Sequence, residues 1–550
     1  MRLINTTTLQ LEEFYGTVPE YAILSHTWAS GEVTFEEFAQ CHEGAKQGYA
    51  KIAAACRQAR DDGIDYCWVD TCCIAKTSSA ELTEAINSMF NWYKRAEVCF
   101  VFLADFDLDV DITDSVSSRI AKSRWFTRGW CLQELIAPKE LRFYDCNWRS
   151  VGSKASLIRS ISNITGIDSH VLEDPSRLFA SSIARRMSWA SKRQTTRVED
   201  MAYSLLGIFD VVMPMLYGEG EKAFIRLQEE IIKKSNDLSI FAWKPNDQMN
   251  VYVDMFAQSP ALFNGCHDIL DAGLGGRILS PSQFSISNRG IRFTAADLSV
   301  LKAQTSKEGP DYVLPLHFST KRGHASCWKY LLLKKIGPSL YVRANAFGDQ
   351  DWSALQLERP WTVEREIYIL PKVTTDLHPA IEMCHRSSFE GRTTKAKLTA
   401  FSIQGLEPKE AWDTPRSRFL TQDDPSFVGY LKIYPEISTG PKTEFFVVTL
   451  SFRRRPGADA EPYVCLVHPD VWVVYDAPGR TLTWMVSSAT EKQRSANEDL
   501  AHDGLELSLP RHKVTISIST RVSRGLPVHK VLLDWKPYAK NKRKYEQTAE

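Results

Sequence analysis

The residues best placed to do chemistry stand in one short stretch, SRWFTRGWCLQELIAP, residues 123–138. Glu134 lies there among Leu132, Leu135 and Ile136, on a segment that reads as a short helix stopped before Pro138. A carboxylate in such apolar surroundings has two readings. It exchanges a proton or faces a developing positive charge, or it forms an ion pair with Arg128 or Arg124 that braces the helix. Trp130 precedes Glu134 by four residues, so the spacing predicts that indole and carboxylate share a helix face.

The elements before this helix must supply the rest of any site. YAILS (21–25), DYCWVD (65–70), VCFVFLAD (98–105) and LRFYD (141–145) are short apolar runs rich in β-branched and aromatic residues. Between them, KQGYAKIAAACRQARDDG (46–63) places Ile52, Ala55, Cys56 and Ala59 at helical spacing and ends at Gly63. SSAELTEAINSMFNWYKRAE (78–97) opens on Ser78 and Glu81, the spacing of a capping box, and carries a stripe of Leu82, Ile86, Met89, Phe90 and Tyr93. Strands alternating with helices imply parallel pairing, and near-continuous apolar strands imply a sheet covered on both faces. The expectation is a small doubly wound, flavodoxin-like parallel α/β core of four or five strands. Ligands of such sheets bind beyond the carboxyl ends of the strands. Those ends are Ser25–His26, Asp70, Asp105 and Asp145.

Residues 150–240 read as helical. SIARRMSWASKR (182–193) and TRVEDMAYSLLGIF (196–209) are amphipathic, the second with Thr196 and Glu199 at capping-box spacing. EGEKAFIRLQEEIIKKS (219–235) aligns Phe224, Leu227, Gln228 and Ile231. The stretch LYGEGEK resembles a phosphate loop only superficially: it lacks the Gly-Lys-Ser/Thr ending, so Gly218 and Gly220 read as a turn before a helix. After about residue 245 the chain becomes short alternating runs between Gly and Pro turns, the pattern of a β-sandwich or barrel. Residues 316–346 and 450–477 share a rhythm of an L-x-F strand, a basic turn and two further strands, which raises an internal duplication.

Composition excludes several classes. Lys plus Arg equals Asp plus Glu at 67 each, which gives no long-range pull toward nucleic acid. The longest apolar run, VCFVFLA, is far below the roughly 18–20 residues of a membrane span, and the N-terminus has no signal-peptide core. A cytoplasmic protein without a membrane span is expected. The 12 cysteines include no C-x-x-C pair, so no metal site is expected, and the adjacent Cys72 and Cys73 read as small buried hydrophobes. The basic run KNKRK near the C-terminus reads either as a solvated tail or as a nuclear-import signal.

Three segments go together: YAILSHTW (21–28), YCWVDTCCI (66–74) and RGWCLQEL (128–135). With SAELTEAINSMFNWY, SRWFTRGW, the long run from TTRVEDMAYSLLGIF to LQEEIIK, and SIFAW, they closely resemble the fungal heterokaryon-incompatibility (HET) domain over about residues 1–243. That resemblance implies self/non-self recognition and a programmed cell-death response. A more distant resemblance runs through the order YAILSH, CWVDT, VCFVFLAD and SRWFTRGWCLQEL, which is similar to a Toll/interleukin-receptor (TIR) domain. In TIR enzymes the glutamate of the last segment cleaves the nicotinamide–ribose bond of NAD. The resemblance therefore implies NAD as a substrate rather than a bound cofactor, with Glu134 as the catalytic residue. Around it, Trp130 would stack on a cationic ring, Arg128 or Arg124 would meet the pyrophosphate, and Ser25 and His26 would line the opposite wall, with Trp28 and Asp70 as further substrate-binding residues. The sequence departs from the TIR pattern in the 20 residues FDLDVDITDSVSSRIAKSRW between third strand and helix. The other reading is a non-enzymatic module that signals by self-association, with the β-rich region as sensor or surface for an unknown protein partner. The expected organisation is a TIR-like α/β core at 1–145, a helical extension at 146–245 and a β-rich region at 246–550.

Overall fold

The computed structural model describes residues 1–40, 46–109, 115–245 and 252–270 continuously; from residue 284 onward it describes strands and the short turns beside them, as far as Pro537. The chain divides into two units. One comprises Met1–Asn288, Pro315–Leu331 and Asn345–Ala354; the other comprises Arg289–Leu314, Leu332–Ala344 and Leu355 onward.

The first unit is built on a seven-stranded sheet. Its strands are β1 (Arg2–Asn5), β2 (Leu11–Glu13), β3 (Ala22–His26), β4 (Tyr66–Trp68), β5 (Val98–Phe102), β6 (Leu141–Tyr144) and β7 (Ser150–Ser153), in the order β2-β1-β4-β3-β5-β6-β7. The four strands read from the sequence form the parallel centre, with Ala22 opposite both Cys67 and Val98, and Cys99 opposite Leu141. The sheet is not purely parallel, however. β1 runs antiparallel to β2 and β4, and β7 runs antiparallel to β6. These added strands are three or four residues long, too short to show a period, and they pair the edges that a four-stranded parallel sheet leaves open. β3 is buried along its whole length, as expected for a central strand.

Helices connect the strands. They are α1 (Phe35–Ala39), α2 (Gln47–Asp61), α3 (Ser79–Arg95), α4 (Val116–Ile120) and α5 (Cys131–Ile136), the last preceded by a 3-10 turn at Arg124–Thr127. α2 buries the expected Ile52, Ala55, Cys56 and Ala59, and also Lys51. Half of the capping box expected on α3 forms: Ser78 Oγ accepts the Glu81 N–H. The Glu81 carboxylate turns instead to the Ala75 N–H at 2.8 Å and the Arg2 guanidinium at 2.5 Å, tying α3 to β1. Tyr93 Oη donates to the Leu24 carbonyl at 3.2 Å and so fixes α3 to β3. α5 is buried along its whole length and packs against α3, β3 and the 3-10 turn.

Beyond β7 come α6 (Ile158–Thr165), α7 (Ser169–Glu173), α8 (Ile183–Ser188), α9 (Asp200–Tyr203), α10 (Leu206–Phe209) and α11 (Lys222–Lys234). The stretch read as one amphipathic helix at 196–209 is two short ones, α9 and α10, and Gly207 of α10 lies flat against Phe90 of α3. The Thr196–Glu199 capping box does not form. Glu199 accepts the backbone N–H groups of Gly218 at 2.8 Å and Gly220 at 3.1 Å. Two donors of LYGEGEK, the Gly218 and Gly220 N–H groups, thus point at an internal carboxylate. α11 buries Phe224, Leu227, Gln228 and Ile231 as read. The eight described cysteines are free thiols, Cys72 and Cys73 among the buried ones.

The second unit is sheet-rich. Phe401–Glu407, Val428–Pro435, Phe446–Arg454 and Ala460–Val467 form a four-stranded antiparallel meander. A six-stranded sheet follows the order Trp412–Asp413, Arg418–Leu420, Ala380–Arg386, Leu526–Pro537, His512–Ser523, Leu505–Ser508, with Ala380–Arg386 parallel to Leu526–Pro537. Residues 468–477 of the suggested duplication and the KNKRK run lie outside the described residues. Among the described residues, no helix is long and apolar enough to cross a membrane.

Candidate functional site

The chain leaves β3 toward β4 on one side and returns to β5 on the other, so the strand order reverses beside β3. Side chains at the carboxyl end of β3 therefore face the place where open α/β sheets leave a crevice. Ser25 and His26 stand there, both buried.

Ser25 joins the two segments singled out from the sequence. Its Oγ donates to Glu134 Oε2 at 2.5 Å, and it accepts the indole N–H of Trp125 at 2.7 Å. Glu134 is 6% exposed, yet among the described residues no cation is bonded to it. Burial pushes its carboxyl up to about 7; the Ser25 hydrogen bond opposes this, the Asp70 charge adds to it, and the Arg128 charge relieves part of it. The surroundings bear the same stamp. Tyr93, Cys99 and Cys131 are all pushed well up, by burial first and then by the Glu134 charge. A carboxyl balanced between its two forms near neutral pH is suited to accept or deliver a proton.

His26 heads a second chain of bonds. Its Nε2 faces Asp70 Oδ1 at 3.1 Å, and its Nδ1 faces the Lys51 ammonium at 2.5 Å. An ammonium only donates, so Nδ1 accepts and Nε2–H donates to Asp70. Lys51 also donates to Glu32 Oε1 at 2.6 Å. Asp70 accepts the Trp28 indole N–H at 3.0 Å, and the Lys76 ammonium sits 3.5 Å from the centre of the Trp28 ring. Burial alone would raise Asp70, but the His26 bond, the Lys76 charge and the Trp28 bond oppose this and hold it at about 2. Asp70 therefore stays ionised beside Glu134. Glu32 Oε2 and Thr71 Oγ1 are buried without a hydrogen-bond partner.

The structure thus brings Ser25, His26, Trp28, Asp70 and Glu134 into two linked clusters. Arg128 and Trp130 stand differently from the reading of the sequence. Arg128 is half-buried and acts on Glu134 through its charge; no ion pair joins them. Arg124 is exposed, and its backbone N–H goes to Asp105 at 2.8 Å. The proposed brace is therefore not formed. Trp130 precedes the first helical residue, and its side chain is directed as a donor toward Asp200 rather than toward Glu134. Asp105 also accepts from Ser123 Oγ at 2.7 Å, and Asp145 accepts three backbone N–H groups and Arg149, so these two strand-end acids hold turns.

Sequence reasoning missed Trp125, Lys51, Glu32 and Arg193. Lys51 left a signal: a lysine on the apolar stripe of α2 needs a buried partner. Arg193 left none. It is buried, its Nη1 donates to the Arg128 carbonyl at 2.8 Å, and burial lowers it to about 10, countered by the Cys131 and Glu134 charges. Among the described residues, no group of three or more His, Cys, Asp or Glu is arranged to hold a metal ion.

Residues 21–115 match the model of the heterokaryon incompatibility protein (HET) family, and residues 222–274 match a domain of unknown function, DUF8212. The HET match contains β3, β4 and β5, hence Ser25, His26 and Asp70, and stops before α5. Over 230 residues, 41% of this chain, the sequence is 47% identical to vegetative incompatibility protein HET-E-1 of Podospora anserina. The matched stretch spans 17% of that relative's length. No solved structure matches. The buried polar cluster at the end of β3 thus lies within the segment, residues 21–115, that matches the HET-domain model, on the stretch of the chain that is similar to a vegetative incompatibility protein.

Proposed function

We propose that this protein acts in vegetative incompatibility, triggering a death response through cleavage of the nicotinamide–ribose bond of NAD by its N-terminal unit. The observation that carries this reading is Glu134, buried without a cation and bonded to Ser25 at 2.5 Å at the reversal of strand order. A carboxyl kept in that state lowers stability, and such groups concentrate at sites that use them. The order β4-β3-β5-β6 of the parallel strands supports a TIR-like, flavodoxin-like core within residues 1–145, followed by a helical extension to 245 and a β-rich region from 246.

In this reading the ionised Glu134 faces the ribose as positive charge develops on it, while nicotinamide departs with the bonding electron pair and becomes neutral. Water adds to the ribose carbon, and Glu134 takes up the proton that the water loses. Ser25 orients the carboxylate. Asp70 and Trp28 favour a cationic ring nearby, and Arg128 is available to the pyrophosphate. Trp130 has no stacking role here because of its direction toward Asp200.

The test is release of nicotinamide from NAD by the purified full chain, alone and after induced self-association, with Glu134→Gln as control. Turnover lost in the variant supports the reading. No turnover in either state, with cell death intact in cells expressing Glu134→Gln, sinks the enzyme and leaves signalling by self-association in the cytoplasm.

A further inference from the structure

We infer that Trp125 is a positioning residue that commits the single hydroxyl hydrogen of Ser25 to Glu134. An indole N–H only donates, so at 2.7 Å it must use a lone pair of Ser25 Oγ. The hydroxyl has one hydrogen, and the remaining close partner is Glu134 Oε2 at 2.5 Å. With Glu134 ionised, the direction of the chain is therefore fixed: Trp125 donates to Ser25, and Ser25 donates to Glu134. A hydroxyl that donates stabilises the ionised carboxylate and holds one of its oxygens in place. Without the indole donor, that lone pair of Ser25 Oγ loses its partner, and the hydroxyl is held in place by Glu134 alone.

The ring is held firmly enough for this role. Trp125 is fully buried, with Phe126 edge-on at 5.0 Å and Phe143 of β6 edge-on at 5.6 Å. Packing thus fixes where the N–H points, and the 3-10 turn that carries it is anchored by Asp105 through Ser123 and Arg124. The other charged or titratable groups facing Glu134 are Asp70, Tyr93, Cys99, Cys131, Arg128 and Arg193. None of them touches the Trp125 N–H, so its removal acts on Glu134 through Ser25 alone.

The importance of this role rests on Glu134 being the reacting carboxylate, but its test does not. The protonated-carboxyl infrared band of Glu134, isolated by subtracting Glu134→Gln, is titrated in the full chain without substrate. Trp125→Phe keeps the ring packing and removes the donor. It is expected to make Glu134 a weaker acid by about three-fold, less than the worth of a direct hydrogen bond to a charged group, because the lost bond is to the neutral hydroxyl and polarises it toward the carboxylate. Ser25→Ala shifts the midpoint upward at least as far, and Trp125→Phe adds nothing in the Ser25→Ala background. If Trp125→Phe fails to fold, benzothienylalanine at 125 keeps the bicyclic shape without the N–H. An unmoved midpoint in a folded variant, or additive effects of the two substitutions, overturns the inference. Where NAD turnover exists, the acid limb of its pH profile moves upward in step. Where it does not, the titration still decides the role of Trp125.

Discussion

Glu134→Gln is expected to stabilise the protein, and only above the acid range. The reason lies in linkage. In the unfolded chain Glu134 ionises near its ordinary 4.5; in the fold, burial holds the proton until about 7. Between these values the native state binds more protons than the unfolded state, so stability falls as pH rises. Below 4.5 both states are protonated and the full contribution is present. Above about 7 both are ionised and the deficit is constant. The interval of 2.5 at 1.36 kcal/mol per unit sets that deficit at about 3 kcal/mol. Glutamine keeps the shape and the Ser25 bond but cannot ionise. Its amide N–H must find an acceptor where a carboxylate oxygen stood, which takes back about 1 kcal/mol. The net gain at pH 8 is about 2 kcal/mol, equivalent to roughly 3 °C in Tm for a unit of this size. Thermal unfolding of wild type and variant at closely spaced pH from 4 to 8.5 reads it directly, because other titrating groups cancel in the difference. A gap between the two curves that does not widen with pH refutes the reasoning. A variant that loses activity while gaining stability is the expected mark of a strained functional group.

Asp70→Asn should show the opposite sign. Asp70 is held at about 2, so its contribution of about 2 kcal/mol is present above its ordinary 3.8 and is lost as pH falls toward 2; acid unfolding followed by circular dichroism should find the variant weaker at pH 6 and equal near pH 2. Lys154→Ala removes the buried ammonium that donates to the Leu135 carbonyl at 3.4 Å and to the Pro138 carbonyl, at the end of α5. The orphaned carbonyls should cost about 2 kcal/mol in denaturant titration. Gly207→Ala would place a Cβ 2.1 Å from Phe90 Cβ, and α10 would have to leave α3. A loss of about 3 kcal/mol is expected, partly recovered in the Gly207→Ala, Phe90→Ala double variant, since the two sites share one contact.

Much of the first unit was legible in the sequence. The stripes of α2, α3 and α11 and the apolar runs of β3, β4, β5 and β6 report local burial, and local burial has a period. Glu134 stood out because an acid in an apolar helix demands an explanation. The edge strands β1, β2 and β7 were not legible, because three or four residues carry no period and their pairing is decided by the open edge of a neighbour. Nor was the close approach of Gly207 in α10 to Phe90 of α3, since Phe90 stands more than a hundred residues earlier in the chain.

The same distinction separates the site's members from its wiring. By itself, the sequence determined that Ser25, His26 and Asp70 end parallel strands and that Glu134 lies on a buried helix, since strand ends and apolar stripes are properties of short segments. Only the tertiary structure decided that Trp125 donates to a serine 100 residues away and that this serine lies 109 residues from Glu134. It also turned Trp130 toward Asp200, set Lys51 against His26 and left Glu134 without a cation. Hydrogen bonds and proton affinities depend on distances in space and on exclusion from water, and the packing of α5 against β3 and α3 sets both.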